Sequence, residues 1–232
     1  GGCVRDYLLK REINDIDITT SAKPFDVMKL FKAKPTGLQY GTVSVQKGSL
    51  TIEITTYRKD GEYLDNRHPE TIEEAPSVEE DVKRRDFTIN GLVMDEQYNV
   101  FDYVGGKQDI LDKIIRTIGD PNERFKEDAL RILRAVYFQA KLGFQIHKDT
   151  RESMALNKEL IRKLPNERVL NELLKTLKEP KQLMALKTLE TTGLMHVLPG
   201  LSKGIMYINE TQKEPLFIDT FFSLCFVLNG FV

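Results

Sequence analysis

Short runs of β-type residues alternate with helical patterns through the first half of the chain. Three runs rich in Ile, Val and Thr lie at residues 16–20, 42–46 and 50–57. The segment Lys47-Gly48-Ser49 between the last two has the small residues of a hairpin turn. Helical spacing occurs at residues 4–9 and at residues 24–31, where Pro24 suits a first-turn position. The pattern predicts a small mixed sheet with short helices around it.

The second half of the chain has an almost wholly helical pattern. Apolar residues recur three and four positions apart in three segments, at residues 127–142, 166–177 and 180–192. Gly143 and Gly193 stand where the first and last of these helices are expected to end. Between the two halves, residues 58–81 carry nine acidic and three basic side chains with little periodicity, which predicts a solvated loop or lid.

Composition limits the function classes. With 232 residues, 41% of them hydrophobic, the chain is long enough for two or more units with a substantial core. The formal net charge is -1, so any surface for a polyanion must be local. Residues 141–187 hold eleven Lys or Arg against six Asp or Glu, which suits either a phosphate-facing surface or an ordinary solvated helix face. Cys3 and Cys225 are far apart without metal-ligand spacing, which indicates a reducing cytoplasm and no structural metal.

Both ends of the sequence have unusual patterns. Residues 216–232 form an apolar run that Asp219, Ser223 and Asn229 interrupt, so a buried helix is expected rather than a membrane span. The first six residues lack the apolar core of a targeting peptide. We expect that the sequence is truncated at both ends.

Two carboxylates on one predicted strand are the first candidate for catalysis. Alternation is expected to turn Ile16 and Ile18 into the core and Asp15 and Asp17 to the opposite face. Adjacent carboxylates repel each other unless a cation lies between them, and two-metal phosphoryl-transfer sites use such pairs. By the same alternation, Glu53 is a candidate third carboxylate. An acidic pair on an exposed strand edge is also common without catalysis, so this pattern alone leaves both interpretations open.

Candidate phosphate and ribose contacts lie on either side of these carboxylates. Gly2 lies at the start of a short predicted helix whose backbone N–H groups, together with Arg5, suit a triphosphate. The later segment Arg84–Gly91 contains Arg85, Asp86 and Asn90, which offer donors and acceptors for phosphate and ribose. A tight turn and a surface ion-pair cluster are the simpler alternatives.

A third candidate lies on the helix predicted from residue 127. Asp128, Arg131 and Arg134 follow one another at three-residue spacing, along one drifting face. An aspartate accepts from an exocyclic amine and an arginine donates to ring acceptors, so the group is able to read a base edge without a nucleic-acid template. The alternative is a set of ion pairs on the helix surface without a role in binding.

Four motifs occur in order: G-G-x-V-R-D from residue 1, D-x-D-I from residue 15, R-R-D-F-T-I-N-G from residue 84 and E-D-A-L-R-x-x-R from residue 127. With them the chain resembles the class II tRNA nucleotidyltransferases, the CCA-adding enzymes, over residues 1–177 and more weakly over residues 193–201. Four ordered motifs are a far more specific signal than any one alone. The resemblance implies an α+β fold: a polymerase β-like nucleotidyltransferase head with a small mixed sheet at residues 1–118, an all-helical neck for base recognition at 119–178, and the start of a helical body at 179–232.

The resemblance also implies a reaction. In this family the aspartates that match Asp15 and Asp17 bind Mg²⁺, which activates the RNA 3′-hydroxyl for attack on the α-phosphate while pyrophosphate leaves. The residue that matches Glu53 completes the acidic cluster. The implied substrates are CTP, ATP and the 3′ end of a tRNA, and the implied product is the added CCA sequence.

Further residues match nucleotide-binding positions of the family. Those near the triphosphate are Gly2, Arg5 and Arg85, those in the ribose segment are Asp86 and Asn90, and those at the base are Asp128, Arg131 and Arg134. Arg168 and Glu172 resemble the helical motif that supports the base pocket. The chain departs from many relatives at Tyr137, where a third arginine often stands, so a third phosphate or base contact is not implied.

Three alternatives remain beside full CCA addition. Relatives that add only CC typically lack the segment between the third carboxylate and R-R-D, whereas residues 57–82 are present here and include the charged stretch 62–67, which argues for adenine addition. An A-adding enzyme and a bacterial poly(A) polymerase are therefore the enzymatic alternatives. A non-catalytic RNA-binding remnant is the alternative of another class, although intact clustered carboxylates argue against it because they cost stability without a metal.

Overall fold

A computed structural model describes residues 1–13, 15–48, 50–61 and 71–199 of the chain. The charged stretch 62–67 and the apolar run 216–232 lie outside the described residues, so the expectations for both stay predictions. No helix within the described ranges is long and apolar enough to cross a membrane.

The predicted mixed sheet is confirmed. Its strands are β1 (Ile16–Thr20), β2 (Ala33–Gly37), β3 (Thr42–Lys47) and β4 (Leu50–Thr56), in the order β1-β4-β3-β2. Strand β1 is parallel to β4, and the other pairs are antiparallel, with β3 and β4 joined by a tight turn at Gly48. Helices α1 (Gly2–Leu8) and α2 (Pro24–Leu30) pack beside it. The sequence pattern did not predict β2. This edge strand contains Pro35 and a register shift, so its residues show no clear alternation.

The segment predicted as a loop or lid at residues 58–81 contains regular structure at both ends. Strands β5 (Arg58–Asp60) and β6 (Ile72–Glu74) form an antiparallel pair, and helix α3 (Val78–Lys83) follows. The Ser77 hydroxyl caps α3 by accepting from the Glu80 N–H at 3.3 Å. The prediction was wrong here because acidic residues in the first turn of a helix complement its dipole, so a charge-rich stretch need not be a loop.

The remaining elements connect the sheet to the helical half. They are β7 (Val93–Met94), β8 (Val100–Phe101), α4 (Gly106–Leu111), β9 (Ile114–Ile115), α5 (Pro121–Glu127), α6 (Leu130–Leu142), β10 (Gln145–Ile146), α7 (Lys148–Leu156), α8 (Asn166–Leu177) and α9 (Gln182–Thr191). Strands β9 and β10 pair in parallel, and α8 and α9 both pack on α6. The predicted helix at 166–177 is confirmed residue by residue.

The helix predicted from residue 127 to residue 142 is broken at its start. Helix α5 ends at Glu127, and Asp128 adopts an extended backbone with φ −138° and ψ 103°. Its Oδ1 accepts from the Leu130 N–H at 3.0 Å, and α6 begins at Leu130. Asp128 therefore stands in the corner between two helices and not on one face with Arg131 and Arg134.

The hydrophobic core is concentrated in the helical half. Helix α6 is its centre, and Ile132, Leu133 and Ala135 are almost fully buried there. The contiguous cluster extends from Val4 in α1 to Leu198, whereas the sheet and α2 add few buried apolar side chains. One core thus runs through the head, neck and body proposed at 1–118, 119–178 and 179–232, and those boundaries stay a prediction.

Candidate active site

An open cleft of about 840 Å³ lies where the end of the sheet faces α6 and α8. It brings together residues that are far apart in sequence, including every site residue expected from the sequence. These are Gly2, Arg5, Asp15, Asp17, Glu53, Arg85, Asp86, Asn90, Asp128, Arg131 and Arg134. Further residues that line it were not singled out as site residues, among them Thr19, Tyr40, Arg58, Asp81, Arg84, Phe138 and Lys141.

The parallel pairing of β1 with β4 sets two carboxylates side by side. Asp17 is the register partner of Glu53, and Asp15 lies two residues earlier, on the same side of the extended chain. All three side chains are exposed to solvent in the cleft. Ile18 is 44% exposed and lines the cleft as well, so the expectation that it is buried was wrong. The reason is that β1 is the edge strand of a sheet with a small core.

The donor chemistry of these carboxylates suits a hard divalent cation. In the described part of the chain, no three His, Cys, Asp or Glu side chains converge to hold an ion by themselves. Mg²⁺ at phosphoryl-transfer sites is typically bound by one or two carboxylates, with water and substrate phosphates filling the other positions. Asp15 and Asp17 fit such a site, in which a bound nucleotide supplies further oxygens.

Arg5 is an internal anchor of the cleft floor. Its guanidinium is 3% exposed and forms a bidentate pair with Asp6 at 2.9 and 2.8 Å. It also donates to Asn90 Oδ1 at 2.5 Å and lies 5.1 Å from the centre of the Phe138 ring. Arg5 therefore joins α1 to α6 and to the Asn90 turn. It contributes positive charge to the cleft floor rather than free hydrogen-bond donors.

Arg85 lies next to the exposed carboxylates. Its Nη2 donates to Asp81 Oδ2 at 2.9 Å and its Nη1 donates to the Asn90 carbonyl at 3.3 Å. A Cβ built on Gly1 would lie 3.4 Å from Arg85 Nη1 and 3.9 Å from Asp17 Oδ2. The glycine turn at the start of α1 thus leaves room between a guanidinium and a carboxylate, as a triphosphate with a cation requires.

Asp86 ties the head segment to α6. Its Oδ2 accepts from Arg134 Nε at 2.8 Å and from Arg134 Nη2 at 2.6 Å, while its Oδ1 accepts from the Phe87 N–H and from Asn90 Nδ2. Burial alone raises the pKa of the Asp86 carboxyl, but Arg134 and these hydrogen bonds outweigh it and hold the pKa below its usual value. Asp86 is thus an ionised, fully bonded group.

Asp128 and Arg131 also line the cleft. Arg131, 7% exposed, donates through Nη1 to Glu127 Oε2 at 2.7 Å and to the Arg124 carbonyl at 3.2 Å, and through Nη2 to the Arg84 carbonyl at 3.0 Å. Its donors are directed at these groups and not at the Asp128 carboxylate. Burial raises the pKa of the Asp128 carboxyl above its usual value, although nearby arginines act against the rise.

Two other side chains that line the cleft are Arg168 and Tyr137. Arg168 on α8 lines the cleft, and its Nη1 is buried without a hydrogen-bond partner among the described residues. Tyr137 stands where many relatives have arginine, and burial, with Glu179, raises its pKa to about 12. The Lys141 ammonium lies 5.9 Å from the centre of the Tyr137 ring. The Lys141 cation therefore lies one helical turn from Tyr137. In the sequence this relation appears only as the four-residue spacing of the two residues.

Comparison with known proteins identifies the family to which the chain belongs. Residues 1–116 match the family described as the poly A polymerase head domain. The chain belongs to this family. Residues 143–205 also match the family described as the probable RNA- and SrmB-binding site of polymerase A. The resemblance to the class II tRNA nucleotidyltransferases is thereby confirmed, and with it the α+β fold with a nucleotidyltransferase head.

Relatives named CCA-adding enzyme are similar over most of this chain. The Oceanobacillus iheyensis protein is 45% identical over 92% of this chain and 54% of its own length, and the Bacillus velezensis protein is 46% identical over 87% and 51%. The crystal structure of the Bacillus stearothermophilus CCA-adding enzyme in complex with CTP superposes with a TM-score of 0.81 at 43% identity, covering 87% of this chain and 49% of that one. The chain therefore spans about half the length of these relatives.

The bonding of Asp86 predicts an effect of pH on stability. Its pKa in the folded protein is below the ordinary 3.8, so the ionised pair with Arg134 stabilises the fold above that pH, and the contribution is lost as the pH falls through the folded-state pKa. Asp86→Asn should flatten the fall in unfolding free energy on acidification, measured by urea denaturation between about pH 6 and pH 3. Glu152→Gln, at an exposed carboxylate, should keep the wild-type slope; equal slopes for all three proteins would contradict the assignment.

Proposed function

We propose that the protein adds CCA to tRNA 3′ ends, using CTP and ATP and releasing pyrophosphate. The observation that carries this proposal is the single cleft in which the paired strands hold Asp17 beside Glu53 while Arg85, Asp128 and Arg131 line the same space. The relatives named CCA-adding enzyme support it. A tRNA nucleotidyltransferase whose solved structure holds a primer tRNA and an incoming ATP analogue supports it too; it has a TM-score of 0.72 at 28% identity and covers 90% of this chain and 63% of that one.

The head, residues 1–118, provides the phosphate end of the proposed site. Asp15 and Asp17 would hold Mg²⁺, with Glu53 as the third carboxylate beside them. When bound, the ion lowers the pKa of the RNA 3′-hydroxyl and stabilises charge on the α-phosphate. Gly2 lets the triphosphate approach the start of α1, and the guanidinium of Arg85 neutralises phosphate charge as pyrophosphate leaves.

The neck, residues 119–178, selects the base in this proposal. Cytosine and adenine both present an exocyclic amine beside a ring nitrogen acceptor. The Asp128 carboxylate accepts from the amine, and Arg131 donates to the ring nitrogen through its Nε–H edge, which its bonds to Glu127 and to two carbonyls leave available. Uracil and guanine present a carbonyl where the amine would be, and a carboxylate repels it. Asp86 and Asn90 line the same cleft and are the proposed ribose segment, and Arg134, which also lines it, belongs to the proposed base-reading group.

The body, residues 179–232 in this division, begins with α9. Its proposed role is to carry the tRNA together with the neck, where residues 141–187 concentrate positive charge. This charge attracts the phosphate backbone without reading sequence.

The decisive experiment separates the specificities that share this scaffold. The protein is incubated with a tRNA that ends before CCA, and separately with a tRNA that ends in CC, each with CTP or ATP alone and with both, and the products are sized to single nucleotides. CCA addition predicts two nucleotides with CTP alone and three with the mixture. Extension by a single A, and only on a tRNA that already ends in CC, would identify an A-adding enzyme. A long ladder with ATP alone would identify a poly(A) polymerase, and the absence of any extension would refute the enzymatic proposal.

Removal of either strand carboxylate should stop the reaction. Asp15→Ala or Asp17→Ala is expected to reduce incorporation by at least about a thousandfold while the circular dichroism spectrum and melting temperature stay close to wild type, because both side chains are exposed. Mg²⁺ titration followed by calorimetry in the presence of CTP should show weakened binding in the same variants. Asp26→Ala, an exposed carboxylate on α2, is the control; retained Mg²⁺-dependent addition by Asp17→Ala would refute the metal assignment.

Removal of the base-reading pair should change selectivity. The double variant Asp128→Ala, Arg131→Ala is expected to lose most of the preference for CTP and ATP over UTP and GTP, because each bidentate base contact is worth about 1–3 kcal/mol of discrimination. The measurement is kcat/KM for the four nucleotides. Leu156→Ala, at an exposed position on α7, is the control. An undiminished preference in the double variant would exclude the pair as the template.

A further inference from the structure

A buried carboxylate behind the cleft has no role in the function proposed above. Asp81 on α3 is 0% exposed, and four groups donate to it. Its Oδ2 accepts from Arg85 Nη2 at 2.9 Å and from the Thr19 hydroxyl at 3.4 Å. Its Oδ1 accepts from Arg84 Nε at 2.9 Å and from the backbone N–H of Arg58 at 3.3 Å. Asp81 thus joins α3 to the carboxylate strand β1 and to β5.

The electrostatics of Asp81 are those of an ionised anchor. Burial alone raises the pKa of its carboxyl, but the charges and hydrogen bonds of Arg84 and Arg85 outweigh burial and lower the pKa. A carboxylate so enclosed is costly unless its oxygens are satisfied, and here both oxygens are. Arg84 and Arg85 are in turn held in position by this buried, fully bonded carboxylate.

Arg85 is the partner through which Asp81 reaches the cleft. One Nη of Arg85 is bonded to Asp81 and the other to the Asn90 carbonyl, so both ends of its fork are fixed. The Nη1 end faces the space beside Gly1 and the Asp17 carboxylate. The rotamer of Arg85 is therefore set before a nucleotide arrives, and preorganised donors bind a charged ligand without an ordering cost.

We propose that Asp81 is a positioning residue for the triphosphate, which it serves by holding the Arg85 guanidinium beside the metal-binding carboxylates. The inference rests on the proposed function, since it assumes that a nucleoside triphosphate occupies the cleft. The proposed role of Asp81 differs from that of Asp128. An effect that Arg85 transmits changes the binding of the phosphates and leaves the choice of base unchanged.

The test is Asp81→Asn in the full chain. Asparagine keeps the size of the side chain but removes its charge and one of its two acceptor oxygens, so Arg84 and Arg85 lose their ion pairs and are no longer both held. The expected result is a rise of about tenfold in KM and in the calorimetric Kd for CTP, with unchanged affinity for cytidine and an unchanged preference for CTP over UTP. A purely structural role would lower the amount of active protein and leave KM unaltered.

Asp109→Asn is a matched control for stability. Asp109 is 5% exposed and also accepts from an arginine, Arg116, and from a threonine hydroxyl, that of Thr88 at 2.6 Å, but it does not line the cleft. Both substitutions should lower the melting temperature, because each leaves buried donors poorly satisfied. Only Asp81→Asn should weaken CTP binding.

A double-mutant cycle identifies the route. Arg85→Ala should weaken CTP binding, and adding Asp81→Asn to it should cause less than a twofold further change, since the residue through which Asp81 acts is gone. Additive losses, or CTP binding by Asp81→Asn as tight as wild type, would overturn the inference. If Asp81→Asn does not fold, Asp81→Glu, which keeps the charge but displaces Arg85, should raise KM for CTP, and an unchanged KM would overturn it equally. Failure of the wild-type protein to bind CTP would instead contradict the proposed function.

Discussion

The ion pair between Asp86 and Arg134 is the contact on which the cleft depends. It joins the segment that follows α3 to the middle of α6. Phe87 and Phe138 pack edge to face at the same junction, with ring centres 5.7 Å apart, and add an apolar contact. Together with the bond of Arg131 to the Arg84 carbonyl, this junction holds the sheet carboxylates and the proposed base-reading residues in one cleft. Because Asp86 is buried and ionised, breaking the pair would leave an uncompensated charge, which is far costlier than losing a surface salt bridge.

The cleft balances charge in two different ways. Its buried carboxylates, Asp81 and Asp86, are paired with arginines and stabilise the scaffold. The other three, Asp15, Asp17 and Glu53, are exposed and have no such partners in the contacts described above. Repulsion among exposed carboxylates is tolerable in water but favours a cation between them. The same residue type thus holds the scaffold in one place and leaves a position for a metal in another, and burial distinguishes the two.

Much of the fold was predictable because local pattern and tertiary structure agree there. Strand β1 and helix α8 begin and end where alternation and helical spacing place them. The break at Asp128 was not predicted, because the apolar spacing runs through it, whereas its extended backbone and its side-chain bond to the Leu130 N–H are seen only in the structure. Asp81 was missed for a related reason: an acidic residue in an acidic segment resembles a solvated one until its burial is known. The site residues expected from the motifs all line the cleft, whereas the bonds of Arg5 and Arg131 required the packed structure.

The broken helix has a consequence for base selection. On a continuous helix, Asp128 and Arg131 would lie one turn apart on an exposed face, where each side chain has many rotamers and water competes for every hydrogen bond. In the corner between α5 and α6, Asp128 is partly desolvated, and Arg131 is held by Glu127 and by two carbonyls from other segments. A protein that replaces a nucleic-acid template must fix its acceptor and its donor as rigidly as a paired base would. In the proposed function, the arrangement found here would meet this requirement, because Asp128 lies outside the helix and Arg131 is held by Glu127 and two carbonyl groups.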